Sequence, residues 1–152
     1  MASVTFPTRT DATTTATAGK DYLVYVNTGT TEASPTWTLV GGQRDSTLNR
    51  TAEQIDASHK TSGGWASTLP GLRSWNMDLS AIYLNGDQGA KFLEAAFLAG
   101  QEVHLKLEYP DKSYVTGWGS ITDFSLSTPH DDVASISGTI NGNGPLSELQ
   151  TA

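Results

Sequence analysis

The chain contains no cysteine among its 152 residues. Thiol nucleophiles, disulfide frameworks and cysteine zinc sites are therefore excluded. No apolar run approaches the roughly 20 residues that a membrane-spanning helix needs, so we expect no membrane partner. The amino terminus lacks the basic start and the apolar segment of a secretory signal, and we expect a protein that is used without secretion.

Basic residues are also scarce. Nine Lys and Arg stand against 16 Asp and Glu, which gives a formal net charge of −7. Because phosphate binding relies on Lys and Arg, we do not expect nucleic acid to be an attractive ligand. Only 37% of the residues are hydrophobic and 16% are charged, with Ser, Thr, Gly and Asn filling the difference. This composition is typical of β-rich proteins with many turns, and the length predicts one domain, residues 1–152.

Motifs for catalysis and for metal binding are missing. His59, His104 and His130 are isolated from one another, and none has the spacing of a zinc ligand pair. The segment 117–120, Gly-Trp-Gly-Ser, has no nucleophile between its glycines and is not a nucleophile elbow. There is also no phosphate-binding, dinucleotide-binding or calcium-binding loop motif. We therefore predict that the protein is not an enzyme and uses no cofactor or metal.

Two long segments alternate apolar and polar residues. In residues 73–84 the apolar set is Trp75, Met77, Leu79, Ala81 and Tyr83, and the polar set is Ser74, Asn76, Asp78 and Ser80. In residues 102–109 the apolar set is Val103, Leu105, Leu107 and Tyr109, and the polar set is Glu102, His104, Lys106 and Glu108. Successive side chains of a strand point to opposite faces, so each segment predicts a strand with one apolar and one polar face.

The remaining elements are shorter. Further strands are predicted at residues 22–26, 35–40, 113–116, 120–127 and 133–141. A helix is predicted at about 88–99, with Asp87 as its N-cap and Gly100 as its left-handed stop. Together these elements predict a mainly β fold, a sandwich or barrel-like structure with one flanking helix.

Three segments lie outside this pattern. Residues 1–19 are rich in Thr and Ala, and predict either a partly disordered arm or an arm that orders on a neighbouring subunit. Residues 43–71 show no sustained periodicity, allow a short helical turn at 52–57, and are interpreted as one long loop. Such loops are uncommon in compact domains, so this one indicates a partner. Residues 142–152 form a short tail.

Four segments carry a resemblance to a known family. They are GKDYLVYVN at 19–27, WTLVGGQR at 37–44, IDASHKTSGGW at 55–65 and GWGSITDFS at 117–125. With the order of strands, helix and strands, they resemble the major tail proteins of long-tailed, non-contractile bacteriophages, in particular the TP901-1-like group. The resemblance extends over nearly the whole chain after the first twenty residues.

The resemblance implies a structural subunit that forms hexameric rings stacked into a hollow tail tube. DNA would pass through that tube as a cargo that does not adhere. Implied partners are other copies of the chain, a tape measure protein, a tail terminator and distal tail or baseplate proteins. The implied location is the virion tail, assembled in the cytoplasm of the host bacterium. Similar tube proteins occur in gene transfer agents and type VI secretion systems, so the parent particle stays open.

Two surfaces are candidates for these roles. Trp65, beside Gly63 and Gly64, either packs on its own domain or anchors in a pocket of a partner, and we favour the anchor. The candidate inter-subunit contacts are Arg44, Arg50, His59, Lys60 and Trp65. The candidate lumen face comprises Ser74, Asn76, Asp78, Ser80, Ser135, Ser137 and Thr139, although these residues could equally form an ordinary outer face.

The charge agrees with a DNA conduit. Six copies at −7 each would give a ring a charge of −42. Salt screens this repulsion beyond about 10 Å at 0.1 M, so it acts only at close approach. Two other functions stay open: a monomeric carbohydrate-binding β-sandwich module, and another ring-forming tail component.

Overall fold

A computed structural model describes residues 3–7 and 16–151. Seven strands form one antiparallel sheet: β1 Leu23–Asn27, β2 Trp37–Leu39, β3 Gln43–Asp56, β4 Thr68–Ile82, β5 Glu102–Glu108, β6 Tyr114–Ser127 and β7 Ser135–Gly142. Their order across the sheet is β2-β1-β5-β6-β7-β4-β3. A short 3-10 turn, Gly19–Asp21, precedes β1, and the helix α1, Gln88–Ala99, connects β4 to β5. The predicted mainly β fold with one helix is confirmed.

The two edges of the sheet approach each other at one end, where the start of β3 lies beside β1. The edge strands β2 and β3 are consecutive in the chain, joined only by residues 40–42. The Gln43 side chain ties this link to β1. Its Nε2 donates to the carbonyl oxygens of Val24 (2.8 Å) and Val40 (2.6 Å), and its Oε1 accepts from the Val24 N–H (2.9 Å). One amide side chain thus bonds to backbone groups of both β1 and the link between β2 and β3.

The hydrophobic core lies on the concave face of the sheet, where α1 packs against it. Its buried members come from both halves of the sheet and from the helix: Val24, Val26, Val40, Trp75, Met77, Leu79, Leu93, Ala96, Val103, Leu105 and Ile140. Burying one large apolar side chain contributes roughly 1.5–3 kcal/mol. The two alternating segments found in the sequence supply five of these eleven residues, Trp75, Met77, Leu79, Val103 and Leu105.

The helix has the predicted bounds and caps. The Asp87 carboxylate accepts the N–H of Ala90 at 3.1 Å, and the same oxygen accepts the N–H of Gly41 at 3.1 Å. Gly100 adopts a left-handed φ of 69°, and its N–H bonds to the carbonyl groups of Ala96 and Phe97. The N-cap therefore also fastens the helix to the link between β2 and β3.

The prediction of one long loop at residues 43–71 is wrong. Most of it is β3 and the first half of β4, which pair from Gln43 opposite Ala81 to Asp56 opposite Thr68. Only residues 57–67 remain as a loop, and residues 52–56 of the helical turn allowed at 52–57 are strand. Both faces of this part of the hairpin are exposed. Without a buried face, the alternation that identifies a strand is absent from the sequence.

Two predicted strands, 113–116 and 120–127, form the single strand β6. Gly117 and Gly119 lie inside it because neighbouring side chains come very close to its backbone. A Cβ atom at Gly117 would lie 2.7 Å from the Trp75 ring, and one at Gly119 would lie 2.7 Å from Ile140. The expected close approach at these glycines is therefore present, while the bulge of β6 lies further on, between Ile121 and Asp123.

The ends of the chain differ. Residues 3–7 are exposed and have no regular structure, and residues 1–2 and 8–15 of the predicted arm lie outside the described residues. The tail after β7 is attached to the body. The Ser147 N–H donates to the Thr116 carbonyl at 2.8 Å, and Gln150 bridges to Tyr114.

Candidate functional site

The convex face of β3, β4, β7 and β6 carries short polar side chains at nearly every position, with Ile82 at its margin as the exception. Residues directly opposite one another on these four strands share a face, and the register forms rows. The rows are Asp45, Ser80, Ser137 and Ser125; Thr47, Asp78, Thr139 and Asp123; and Asn49, Asn76, Asn141 and Ser120. Thr51 and Ser74 form a further row beyond the third, and Ile82, Ser135 and Ser127 form one beyond the first. We name this surface the polar face.

Hydrogen bonds across the strands order the polar face. Asp78 is at its centre: one carboxylate oxygen accepts from the Thr139 hydroxyl (2.9 Å) and the other from the Asn49 amide (3.3 Å). The same Asn49 amide donates to Asn76 at 2.7 Å. These bonds hold the side chains close to the sheet, so the surface is even and hydrophilic.

The charge of the polar face has one sign. Its paired positions include the carboxylates of Asp45, Asp78 and Asp123 and no Lys or Arg. A polyanion that passes this surface meets no cation that could bind a phosphate group.

All seven predicted lumen residues lie on the polar face. The structure therefore brings together the β4 and β7 residues that the sequence grouped. The contributions of β3 and β6, such as Thr47 and Asp123, were missed. Polar residues at every second position from 45 to 51, with Leu48 between them, were the available signal.

The four-stranded part of the sheet has two open edges. β3 is the last strand of the sheet and has no partner on its outer side among the described residues. At the opposite side, β5 pairs only with residues 114–120 of β6. Residues 121–127 of β6 therefore also have one free edge within the described part of the chain. Unpaired edges of this length are templates for pairing with another chain.

The distal part of the β3–β4 hairpin projects from the body. β7 pairs with β4 only from Asn76 onward, so residues 68–75 continue for roughly 25 Å with β3 as their sole strand partner. We name residues 52–73 the hairpin arm. It exposes apolar side chains, with Leu72 79% accessible and Ile55 and Leu69 each 55% accessible. A two-stranded hairpin is marginally stable alone, so this arm would gain stability from a partner that covers its apolar side chains.

The loop at the end of the arm is ordered by its own hydrogen bonds. The Ala57 N–H donates to the Ser67 carbonyl at 2.8 Å, and His59 Nδ1 accepts from the Thr61 hydroxyl at 2.6 Å. The Ser58 backbone N–H donates to Asp56 and lowers the pKa of that carboxyl. Gly63 and Gly64 both have left-handed φ values, 67° and 81°, which L-residues with side chains rarely adopt.

This loop presents Trp65 to solvent. The indole is 82% exposed, so Trp65 does not pack on its own domain. Of the predicted inter-subunit contacts, His59, Lys60 and Trp65 come together at this tip. Arg44 and Arg50 lie apart from them, at the bulge near the start of β3 and opposite Trp75, respectively.

A second cluster lies on the convex face of β2, β1, β5 and β6. The His104 ring stacks on Trp118, with 4.7 Å between centroids and 7° between planes, and contacts Trp37 at 4.8 Å with a tilt of 50°. Its Nδ1 faces the Asn27 amide nitrogen at 3.3 Å, which can only donate, so His104 Nδ1 accepts and Nε2 carries the proton. Burial lowers the pKa of His104, and the Glu32 carboxylate partly offsets this shift. The sequence placed His104 on a polar face, but the structure buries it between indoles.

Other kinds of site are not found in the described residues. No group of three His, Asp or Glu side chains there could hold a metal ion. None of the helices in residues 3–7 and 16–151 is long and apolar enough to cross a membrane.

Comparison with known proteins distinguishes between a tail tube subunit and a carbohydrate-binding module, two functions that the sequence left open. The family model for the phage tail tube protein matches residues 16–148. The chain belongs to the phage tail tube protein family. It is therefore a structural subunit of a tail tube and a component of the virion tail, as the sequence resemblance implied. The match favours this function over a monomeric carbohydrate-binding module.

Solved structures of tail tubes share the fold. The tail of an empty gene transfer agent particle, computed with C6 symmetry, contains a chain that is 26% identical, with a TM-score of 0.76 over 90% of this chain and 100% of that one. A chain of the native gene transfer agent virion is 24% identical, with a TM-score of 0.77 over 90% and 100%. The SPP1 tail tube is 17% identical, with a TM-score of 0.72 over 89% and 80%. Among curated proteins, none matches the sequence.

Proposed function

We propose that the chain closes into hexameric rings by pairing the open edge of β3 with residues 121–127 of β6 in the next copy. The observation that supports this pairing is the strand direction. The sequence of strands β6-β7-β4-β3 is antiparallel throughout and contains an even number of strands. Adding the next copy's β6 beside β3 therefore continues the antiparallel alternation, and the head-to-tail contact hides both edges when the ring closes.

The size of the resulting wall suits a conduit. Six copies, the symmetry given for the gene transfer agent tail, would join about 24 strands, and at a spacing of ~4.8 Å these make a wall roughly 115 Å around and 37 Å across. Barrels of 16–18 strands already enclose an aqueous channel. Rings of this size would stack into the tube.

We place the polar face on the lumen. It belongs to the same four strands that form the wall, and its opposite face is the buried core. Its short side chains and its carboxylates at Asp45, Asp78 and Asp123 suit a passage for DNA as cargo that does not adhere. A face rich in Lys and Arg would instead hold the phosphate backbone.

The hairpin arm and its tip would contact neighbouring subunits. Its exposed apolar residues, with Arg44, Arg50, His59, Lys60 and Trp65, lack a partner that would cover them within the described residues. At its ends the tube would meet a tail terminator and distal tail or baseplate proteins, and inside it a tape measure protein. Assembly would take place in the host bacterial cytoplasm.

Electron cryo-microscopy of tubes formed by the purified chain tests this function. We expect hollow tubes with six-fold symmetry, β3 hydrogen-bonded to β6 of the next copy, and the polar face lining the channel. Light scattering across a concentration series provides the mass. Monomers at every concentration, or tubes with the polar face outside, would contradict the proposal.

A further inference from the structure

One cavity takes no part in the ring wall. It lies beside the stacked His104, between β1, the N-terminal end of β5 and α1, and has a volume of about 160 Å³. Its lining includes Asn27, Thr30, Glu32, Phe92, Glu102 and Trp118. An engineered cavity of ~150 Å³ accommodates benzene, so this one has room for an aromatic ring.

We propose that this cavity receives Trp65 from the hairpin arm of a second copy of the chain. The inference rests on the proposed self-assembly and assigns the receptor for the arm. A contact between two different surfaces of identical subunits is the heterologous type from which rings and stacked rings are built.

The chemistry of the two surfaces is complementary. Phe92 and Trp118 supply aromatic walls, and the carboxylates of Glu32 and Glu102 lie at the cavity. At the tip, Trp65 is 82% exposed and the cation Lys60 lies nearby. Neither Lys60 nor Glu32 has an ion pair or a side-chain hydrogen bond among the described residues. A tryptophan with one neighbouring cation therefore matches an aromatic cavity with two carboxylates, which is the kind of complementarity found at interface hot spots.

The arm can reach another subunit. It extends roughly 25 Å beyond the last β4 residue paired with β7, and its tip loop is held by internal hydrogen bonds. The backbone that carries Trp65 is thus ordered before docking, which reduces the conformational entropy lost by the loop.

Disulfide trapping tests the contact directly, because the chain has no native cysteine. The test variant carries Ala66→Cys, next to Trp65, and Thr30→Cys, at the cavity. A matched control carries Ala66→Cys and Lys20→Cys, where Lys20 is equally exposed but does not line the cavity. In oxidised tubes we expect the test pair to give a ladder of cross-linked chains on a non-reducing gel, and the control pair to give none.

A charge exchange provides the second measurement. Lys60→Glu and Glu32→Lys should each raise the protein concentration needed for tube formation about fivefold, the scale of one ion pair. The double variant should return it toward the wild-type value. In contrast, Lys20→Glu should leave it unchanged.

The outcomes separate this proposal from the function itself. Tubes that form without the ladder, or a double variant no better than the single ones, would overturn the docking and leave the tube subunit intact. Binding of a soluble sugar that shifts tryptophan fluorescence, abolished by Trp118→Ala and without cross-linking, would assign the cavity to a glycan instead. If the wild-type chain forms no polymer, both proposals fail.

Discussion

The two halves of β4 are one continuous strand, but they have opposite environments. From Trp75 to Ala81 every second residue is buried, with Met77 2% and Leu79 5% exposed. From Thr68 to Ser74 almost every residue is exposed, including Leu69 and Leu72. The buried half is held by β3, β7 and the core, whereas the exposed half is held by β3 alone among the described strands.

This contrast separates the β4 residues that fold the subunit from those that we propose to act in assembly. The buried half specifies the subunit, because its apolar side chains fill the core. The exposed half contributes little to the folded monomer, yet it presents apolar side chains that a soluble domain would rarely display together. Under the proposed assembly, its sequence is explained by contacts with neighbouring subunits.

The largest effect is expected from removing the arm. Replacing residues 52–73 by Asn-Gly would join Thr51 to Ser74, which face each other across the hairpin, through a tight turn. We expect the β-rich circular dichroism spectrum to survive and tube formation to be lost. Collapse of the spectrum would show that the arm belongs to the folding core.

The same substitution at two positions of β4 tests the contrast by stability. Leu79→Ala should lower the free energy of unfolding by about 2–5 kcal/mol, since it leaves a cavity in the core. Leu72→Ala should change it by less than about 0.5 kcal/mol while weakening assembly. Urea denaturation of the monomer and electron microscopy provide the two readouts. Equal losses of stability in Leu79→Ala and Leu72→Ala would contradict this division of β4 into a folding half and an assembly half.

Close packing around Trp75 marks the boundary of the buried half. A Cβ atom at Gly142 would lie 2.2 Å from the indole of Trp75. Gly142→Ala should therefore cost about 1–3 kcal/mol of stability by overpacking. Gly144→Ala is not a suitable control, because Gly144 has a φ of 87°, whereas Gly19 has open space and a permissive backbone. Gly19→Ala should be nearly neutral in the same urea titration.

The convex face of the buried half offers a functional test. Asp78→Lys would place one cation per subunit on the proposed lumen, and we expect DNA delivery by assembled particles to fall several-fold while tubes still form. Asp78→Asn keeps the shape and an acceptor for Thr139, so its effect should be small. Asp131→Lys, in an exposed turn, is the control for charge alone. Unchanged delivery by Asp78→Lys would remove Asp78 from the lumen.

The smallest effect concerns pH. Burial lowers the pKa of His104 below its usual value near 6.5, so the unfolded chain binds this proton more readily than the folded one. Stability should consequently fall as the pH drops below about 6.5 and towards the folded-state pKa. We expect urea midpoints at pH 7.5 and 5 to differ more for the wild type than for His104→Gln. His130→Gln, in an exposed turn, should behave as the wild type.

Several elements could be read directly from the sequence. The alternating segment of β4, the alternation in β5 and the helix with Asp87 and Gly100 at its ends are each specified by local patterns. All seven lumen candidates also share one face, because they occupy alternate positions of strands that pair in register. The strands of the hairpin arm were not predicted because neither face of the arm is buried within the subunit.

Local patterns depend on a residue and its near neighbours, and so the helix, the apolar core strands and the family were predictable from the order of the amino acids. Which strands become neighbours is instead set by the tertiary structure. It joined β3 and β6 residues to the polar face, left two sheet edges open, and placed His104 between Trp37 and Trp118. These features depend on pairing between segments far apart in the chain, where the contact is set by register and curvature.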